Sequence, residues 1–319
     1  NNQPDVRELL KRFKENDKFL FSAFSQWSVT ETLDFFHKRR MDTKVEAERR
    51  VFPRTEKAQS VWNVLVEYIK EGGVTILSNS PVRGLEKDNK TIQTLVLKNG
   101  KKIKAKSFVL ATGGKSRPET GSTGEGFEWL KELGHKVNEP EAALVPVAVY
   151  EAWPKRLQGI TLKDIKISLF QNNAKQDSVK GKILFTHFGV SGPTILNMSK
   201  DIGELLKYGD VFISLDILPT LDYGQLNTKL QEIFKEHSNK KFKNGLGNLV
   251  PAALAPVIVE LSGINGETQN NSITREERLK LVQVLKDLRM RVFHLLGAEK
   301  AIVTSGGVAL PEVDFKTMQ

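Results

Sequence analysis

Cysteine is absent from the 319 residues, and that one absence removes disulfides, thiolate metal sites and cysteine nucleophiles. Histidine is scarce. The five histidines (His37, His135, His187, His237 and His294) show no H-x-x-x-H spacing, so no metal site is expected. Long hydrophobic runs are missing too. No stretch approaches the roughly 18 uncharged apolar residues that a membrane helix needs. The opening "NNQPDVRELLKRFKEN" has no apolar signal core, so a cytoplasmic protein without membrane contact is the expectation. A dinucleotide fingerprint is also lacking. "GSTGEG" (121–126) has neither the spacing nor the position of G-x-G-x-x-G, and nothing before residue 57 follows that pattern.

What is present suffices for a folded chain of about two domains. Hydrophobic residues make up 39% and charged residues 27%, enough to bury a sizeable core. The net charge of +10 favours phosphate-bearing partners. The basic residues are spread out, however, with "NKKFKN" (239–244) the densest cluster. No aromatic residues interleave with arginines as in a single-strand-binding groove, so no specific nucleic-acid partner is expected.

The first third alternates helix and strand. Residues 4–15 place Val6, Leu9, Leu10 and Phe13 on one helical face, with Asn1 or Asn2 as cap. "SVTETLDFFHKRR" (28–40) opens on a Ser/Thr cap followed by Glu31. Residues 57–73 form a helix with Val61, Leu65, Tyr68 and Ile69 on one side, stopped by Gly72-Gly73. "VTIL" (74–77) reads as a strand, and "IQTLVLKNGKKIKAKSFVLA" as a hairpin turning at Asn99-Gly100 in a type I′ turn. "SFVLA" (107–111) reads as a strand buried on both faces. From about 143 to 218 the segments are short and strand-like, which suggests a small antiparallel barrel or sandwich. From 221 to 297 the pattern is helical, including Leu279, Leu281, Val282, Leu285 and Leu288 on one face behind a Thr274 cap. "AIVTSGG" near the end repeats the texture of "VLATGG": an apolar run, a threonine, then paired glycines.

Glycine lets a backbone take positive φ and lets another molecule approach closely. Thr112-Gly113-Gly114, followed by Gly121, Gly124 and Gly126, lies where a strand would meet a helix. A helix start collects free N–H groups that suit an anion. Residues alone therefore give an α/β protein with a nucleotide-friendly crevice. Three function classes stay open on them: a nucleotide-dependent enzyme, a non-enzymatic nucleotide-binding or regulatory module, and a nucleic-acid-binding protein.

Four blocks in order, "RRVFPRTEKAQSVWNVL" (49–65), "VLATGGKSRPETGSTGEGFEWLKELGHKV" (109–137), "ILFTHFGVSGPTILNMS" (183–199) and "AIVTSGGVALPEVDFKTM" (301–318), resemble the bacterial NAD(P)/FAD-dependent oxidoreductase family, the aminoacetone oxidase-like flavoproteins. The resemblance implies an incomplete Rossmann-type FAD-binding domain interrupted by a β-barrel plus helical domain. The boundaries are residues 1–145 for the FAD-binding part, 146–299 for an inserted substrate domain (barrel 146–218, helical 219–299), and 300–319 for the return. It also implies a fragment that lacks the glycine fingerprint and a closing segment, and such a fragment is expected to bind FAD weakly or not at all and to be inactive by itself. Such a fragment would hide unpaired sheet edges in a homo-oligomer.

The resemblance further implies that Thr112, Gly113 and Gly114 lie beside FAD, that Val82 lies near its adenine, and that Thr304, Ser305, Gly306 and Gly307 approach the flavin ring. Arg50 and Phe52-Pro53 resemble the family's R-x-F-P element. The implied activity is an FAD-dependent oxidoreductase acting on a small molecule, with NAD(P)H as electron donor. No catalytic residue is nominated. His187 is read as a structural histidine.

Overall fold

The computed structural model describes residues 5–46, 49–89, 91–247 and 249–319, in two compact units. The first comprises Asn1–Leu110, Phe127–Asn138 and Val308–Gln319; the second comprises Ala111–Gly126 and Glu139–Gly307.

In the first unit, helices α1 (Val6–Leu10), α2 (Asp17–Gln26) and α3 (Val29–Lys38) precede a two-stranded ribbon, β1 (Thr43–Val45) with β2 (Val51–Pro53). Helix α4 (Ala58–Glu71) follows, then a meander of β3 (Val82–Asp88), β4 (Thr91–Leu97) and β5 (Lys102–Lys104). The helix expected over 4–15 is interrupted, because Lys11–Asn16 tightens into a 3₁₀ segment. Asp5 caps α1 by accepting the Arg7 N–H at 2.8 Å, while the expected caps Asn1 and Asn2 lie outside the described residues. Ser28 and Glu31 do form a reciprocal capping box on α3.

Two expected strands are absent from the described sheets. Residues 74–77 and 107–111 belong to no strand of these sheets, with Ile76 68% and Val109 90% exposed. An all-apolar run becomes a buried strand only where strands lie on both sides of it. Each registered pairing here is antiparallel, and none includes these runs. The hairpin turn differs as well. Gly100 donates its N–H to the Leu97 carbonyl at 2.9 Å and has φ +83°, whereas Asn99 keeps negative φ. Three loop residues with glycine in the left-handed position thus replace the expected two-residue I′ turn.

Helix α5 (Glu125–Glu132) and β6 (Val137–Ala143) lead into the second unit. Its centre is a closed barrel in the order β10-β7-β12-β11-β8-β9. The strands are β7 (Val147–Val149), β8 (Thr161–Gln171), β9 (Ala174–Thr186), β10 (Gly189–Ser191), β11 (Val211–Asp216) and β12 (Leu288–Leu295). Helix α6 (Trp153–Arg156) and the longer α7 (Pro193–Leu206), α8 (Tyr223–Glu236), α9 (Ala255–Ser262) and α10 (Arg275–Lys286) complete the unit. β13 (Val303–Val308) pairs with β6, most of both strands lying in this unit.

Leu288 does not extend α10, as its spacing suggested. Asp287, at φ −146°, ends the helix, and Leu288, Met290 and Val292 alternate inward along β12. The barrel therefore closes with a strand from 288–295 and does not end at 218. Its interior holds Ile167, Leu169, Ile183, Phe185, Ile213 and Leu215, all fully buried. Among the described residues, no helix is long and apolar enough to cross a membrane.

Candidate functional site

Residues 111–126 and 298–307 fold against each other inside the second unit. The threonine that precedes the second glycine pair makes the joint. Thr304 Oγ1 accepts the Lys115 N–H at 2.7 Å and lies 3.0 Å from Ser116 Oγ. Arg117, left-handed at φ 59°, donates its N–H to the Ala298 carbonyl at 3.0 Å. The chain then turns through Pro118–Thr120 and enters α5.

Two glycines are explained by this packing. A methyl group on Gly114 would land on Thr304 Oγ1, and one on buried Gly126 would land on Thr112 Oγ1. Gly114 admits a threonine from the opposite segment, and Gly126 admits one from the start of its own. Others serve approach and turning. Gly113 is exposed at φ +73°, Gly121 has open space around it at φ +96°, and Gly306 is exposed at φ +88°. The exposed edge is thus backbone and hydroxyl: Thr112, Gly113, the half-buried Thr304 and Ser305, and Gly306, with Gly307 buried behind at φ +109°.

The electrostatics are balanced. Lys115 and Arg117 contribute two cations; Glu119 (3.8 Å from Arg117 Nη1) and Glu125 contribute two anions. Glu125 opens α5, so a carboxylate already stands at the positive helix end. The N–H groups of residues 115, 117, 120, 121 and 123 all donate within the protein. Five of the backbone donors at the corner expected to receive an anion are thus committed within the protein.

The structure thus brings Thr112, Gly113 and Gly114 beside Thr304, Ser305, Gly306 and Gly307 within one unit. Val82 is the first residue of β3 in the other unit, half-buried, paired with Leu97. Arg50 stands over the Phe52 ring at 5.9 Å, next to Pro53 in β2. His187 is exposed, with its ring edge-on to Phe188 at 4.8 Å. Lys115 and Ser116, which hold Thr304, were not singled out from sequence. The signal that marks them is their place directly after the glycine pair, where side chains resume.

An antiparallel barrel with its helices lies between the two glycine-bearing turns. The whole chain, residues 1–319, matches the family described as HI0933-like protein Rossmann domain, and the chain belongs to that family. Among curated relatives, it is 28% identical over 305 residues to the ribosomal RNA dihydrouridine synthase of Escherichia coli K12, covering 96% of this chain and 73% of the relative. It is 24% identical over 310 residues to the 3-dehydro-bile acid delta(4,6)-reductase of Clostridium scindens, covering 96% of this chain and 74% of the relative. The ribosomal RNA dihydrouridine synthase of Haemophilus influenzae is 25% identical over 269 residues, covering 83% and 63%.

Proposed function

We propose that this protein is an FAD-dependent oxidoreductase that saturates a carbon–carbon double bond conjugated to a carbonyl. The names of the relatives motivate the bond type. A dihydrouridine is a uridine whose ring double bond has been reduced, and a delta(4,6)-reductase of a 3-dehydro compound acts on double bonds conjugated to a ketone. Both need a hydride delivered to one carbon and a proton to its neighbour, and bound flavin supplies hydride chemistry of that kind.

The observation that carries the reading is the Thr304 clasp. It sets two glycine-bearing segments side by side and leaves Thr112, Gly113, Thr304, Ser305 and Gly306 as a polar edge. These residues would hold the isoalloxazine through backbone and hydroxyl contacts. Gly114 keeps the two segments close enough to share it, and Gly126 folds the first segment back on Thr112. The balanced charges of Lys115, Arg117, Glu119 and Glu125 suit a ring system more than a phosphate pair.

The test is flavin capture followed by turnover. The purified protein is titrated with FAD, and quenching of flavin fluorescence is followed. NADPH, or dithionite as a nicotinamide-free reductant, is then added anaerobically with uridine or cyclohexenone as acceptor. The expected outcome is saturable FAD binding that Gly113→Val weakens at least tenfold, and acceptor-dependent reoxidation. Protein that folds but neither captures FAD nor passes electrons to either acceptor overturns the proposal.

A further inference from the structure

The outer face of the barrel carries a pattern that the linear sequence hides. Three rows cross the strands. Lys180 on β9 pairs directly with Lys166 on β8. Ser178, Ser168, Ser214 and Arg289 line up across β9, β8, β11 and β12. Lys175, Phe170, Phe212 and Arg291 form the third row in the same order. Two guanidinium groups stack on rings: Arg289 lies 4.6 Å from the Phe170 centroid and Arg291 lies 4.8 Å from that of Tyr150. Tyr150 meets Phe293 edge-on at 4.8 Å, and these two rings are 52% and 53% exposed.

Packing alone gives a poor account of this face. Like charges directly opposite across strands destabilise a sheet, yet Lys166 and Lys180 are so placed. Asp216, which faces Lys166 from β11, is already bound to Lys286 at 2.6 Å and to the Leu218 N–H at 3.1 Å. Asp287 and Asp210 engage Arg289 and Arg291 through their N–H edges, at 2.9 and 2.7 Å, which leaves the flat guanidinium faces on the rings. The Arg291 N–H of the backbone is taken by Glu151 at 2.9 Å. A ligand that complements this surface has repeated negative charge along one side and flat rings along the other.

We propose that the outer barrel face formed by β9, β8, β11 and β12 binds an unpaired RNA segment. Bases stack at Tyr150, Phe293 and the Arg289–Phe170 pair, and the backbone phosphates run along Lys166, Lys175 and Lys180. The proposal rests on the reductase reading and deepens it by giving that activity an RNA substrate, the class named for two of the relatives. It departs from the expectation of no specific nucleic-acid partner. The interleaving of arginine and aromatic side chains arises between strands, so it cannot be seen along the chain.

The experiment follows the fluorescence anisotropy of a labelled 12-nucleotide oligouridine with the purified protein at 50 and 200 mM KCl. Binding should weaken steeply with salt. Tyr150→Ala with Phe293→Ala should cost about tenfold or more in affinity at fixed salt. Lys166→Glu with Lys180→Glu should flatten the salt dependence by about one to two phosphate contacts. Lys235→Glu with Lys240→Glu, the same charge change elsewhere, should do neither. Thermal melts check that each variant folds, and Phe293→Ser alone replaces the aromatic pair if that variant does not. Absence of RNA binding overturns the proposal. So does equal loss in the control pair, or capture by phosphatidylserine vesicles through the same lysines without RNA binding. FAD capture and reduction of free uridine are measured on the same variants. If these persist while RNA binding is absent, only this inference falls. If FAD capture fails while RNA binding stands, the reductase reading falls.

Discussion

Every one of the largest fully buried side chains, from Phe185 to Leu246, belongs to the second unit, while in the first Val109 is 90%, Ile76 68% and Trp62 63% exposed. Both units contain apolar segments of similar texture. The difference lies in what surrounds them. In the barrel, period-two strands close on themselves, so each inward residue meets others across the interior. In the first unit the largely apolar runs 74–77 and 107–110 have no strand beside them among the described residues. Apolar content alone therefore says little about burial; pairing of the backbone decides it.

The sharpest way to break this comparison is a large-to-small change on each side. Phe185→Ala should destabilise the second unit by about 3–5 kcal/mol, since it empties the barrel centre beside Trp153. Ile76→Ser should fall within about 0.5 kcal/mol, as for an ordinary surface change. Urea unfolding of both variants reads this directly. Comparable losses would mean that 74–77 is buried in solution.

A second change probes a buried cation at the barrel edge. Lys286, with its side chain 7% exposed, bonds Asp216 at 2.6 Å and the carbonyls of Leu218 and Leu221 at 3.1 and 2.5 Å. Three acceptors satisfy three protons. Asp216→Ala should cost about 3 kcal/mol, because it strands the ammonium. Asp216→Leu with Lys286→Met should be far milder. A double variant as unstable as the single one would show that the carbonyl contacts, not the ion pair, matter most.

A smaller effect is expected at the glycine joint. Gly114→Ala should destabilise by about 1–3 kcal/mol through overpacking against Thr304. Adding Thr304→Gly should return part of that loss, since it removes the atoms in the way. If the second change only adds to the damage, Gly114 is needed for another reason.

How far the sequence carried this picture follows from the same contrast. The barrel strands over 161–171 and 211–216 were legible because apolar, strand-like segments there are bounded by charges and glycines. The capping boxes at Ser28 and Thr274 were legible because capping is local chemistry. β12 was not, although "LRMRVFH" alternates cleanly, because the helical run before it masks the change of period at Asp287. At the site, the likeness of the two glycine turns pointed to their meeting. The Thr304 clasp on Lys115 and Ser116 did not show, since it joins residues 188 and 189 positions apart. The same holds for the aromatic and basic rows on the barrel, which exist only once strand register is set.

The smallest expected effects compare two carboxylates, one from each unit. Glu267, in the second, is held at about 2 by hydrogen bonds first from Lys241 and then from Lys243. Glu312, in the first, is held below the ordinary carboxylate range, first by the Lys136 backbone N–H at 2.8 Å and then by His135 at 2.8 Å. A carboxylate lowered by folding stabilises the native state above its unfolded value and loses that contribution as pH falls through the folded one. Glu267→Gln and Glu312→Gln should therefore each lower the melting temperature slightly at pH 7. For Glu267 the difference from the parent should shrink below pH 4.5 and close near pH 2. Salt separates the two. The Glu267 bridges are about half exposed, and 1 M NaCl should screen most of their effect. The Glu312 contact includes a backbone N–H of fixed geometry, so more of its effect should survive. If salt erases both equally, the Glu312 contact works through charge alone and the backbone bond contributes nothing measurable.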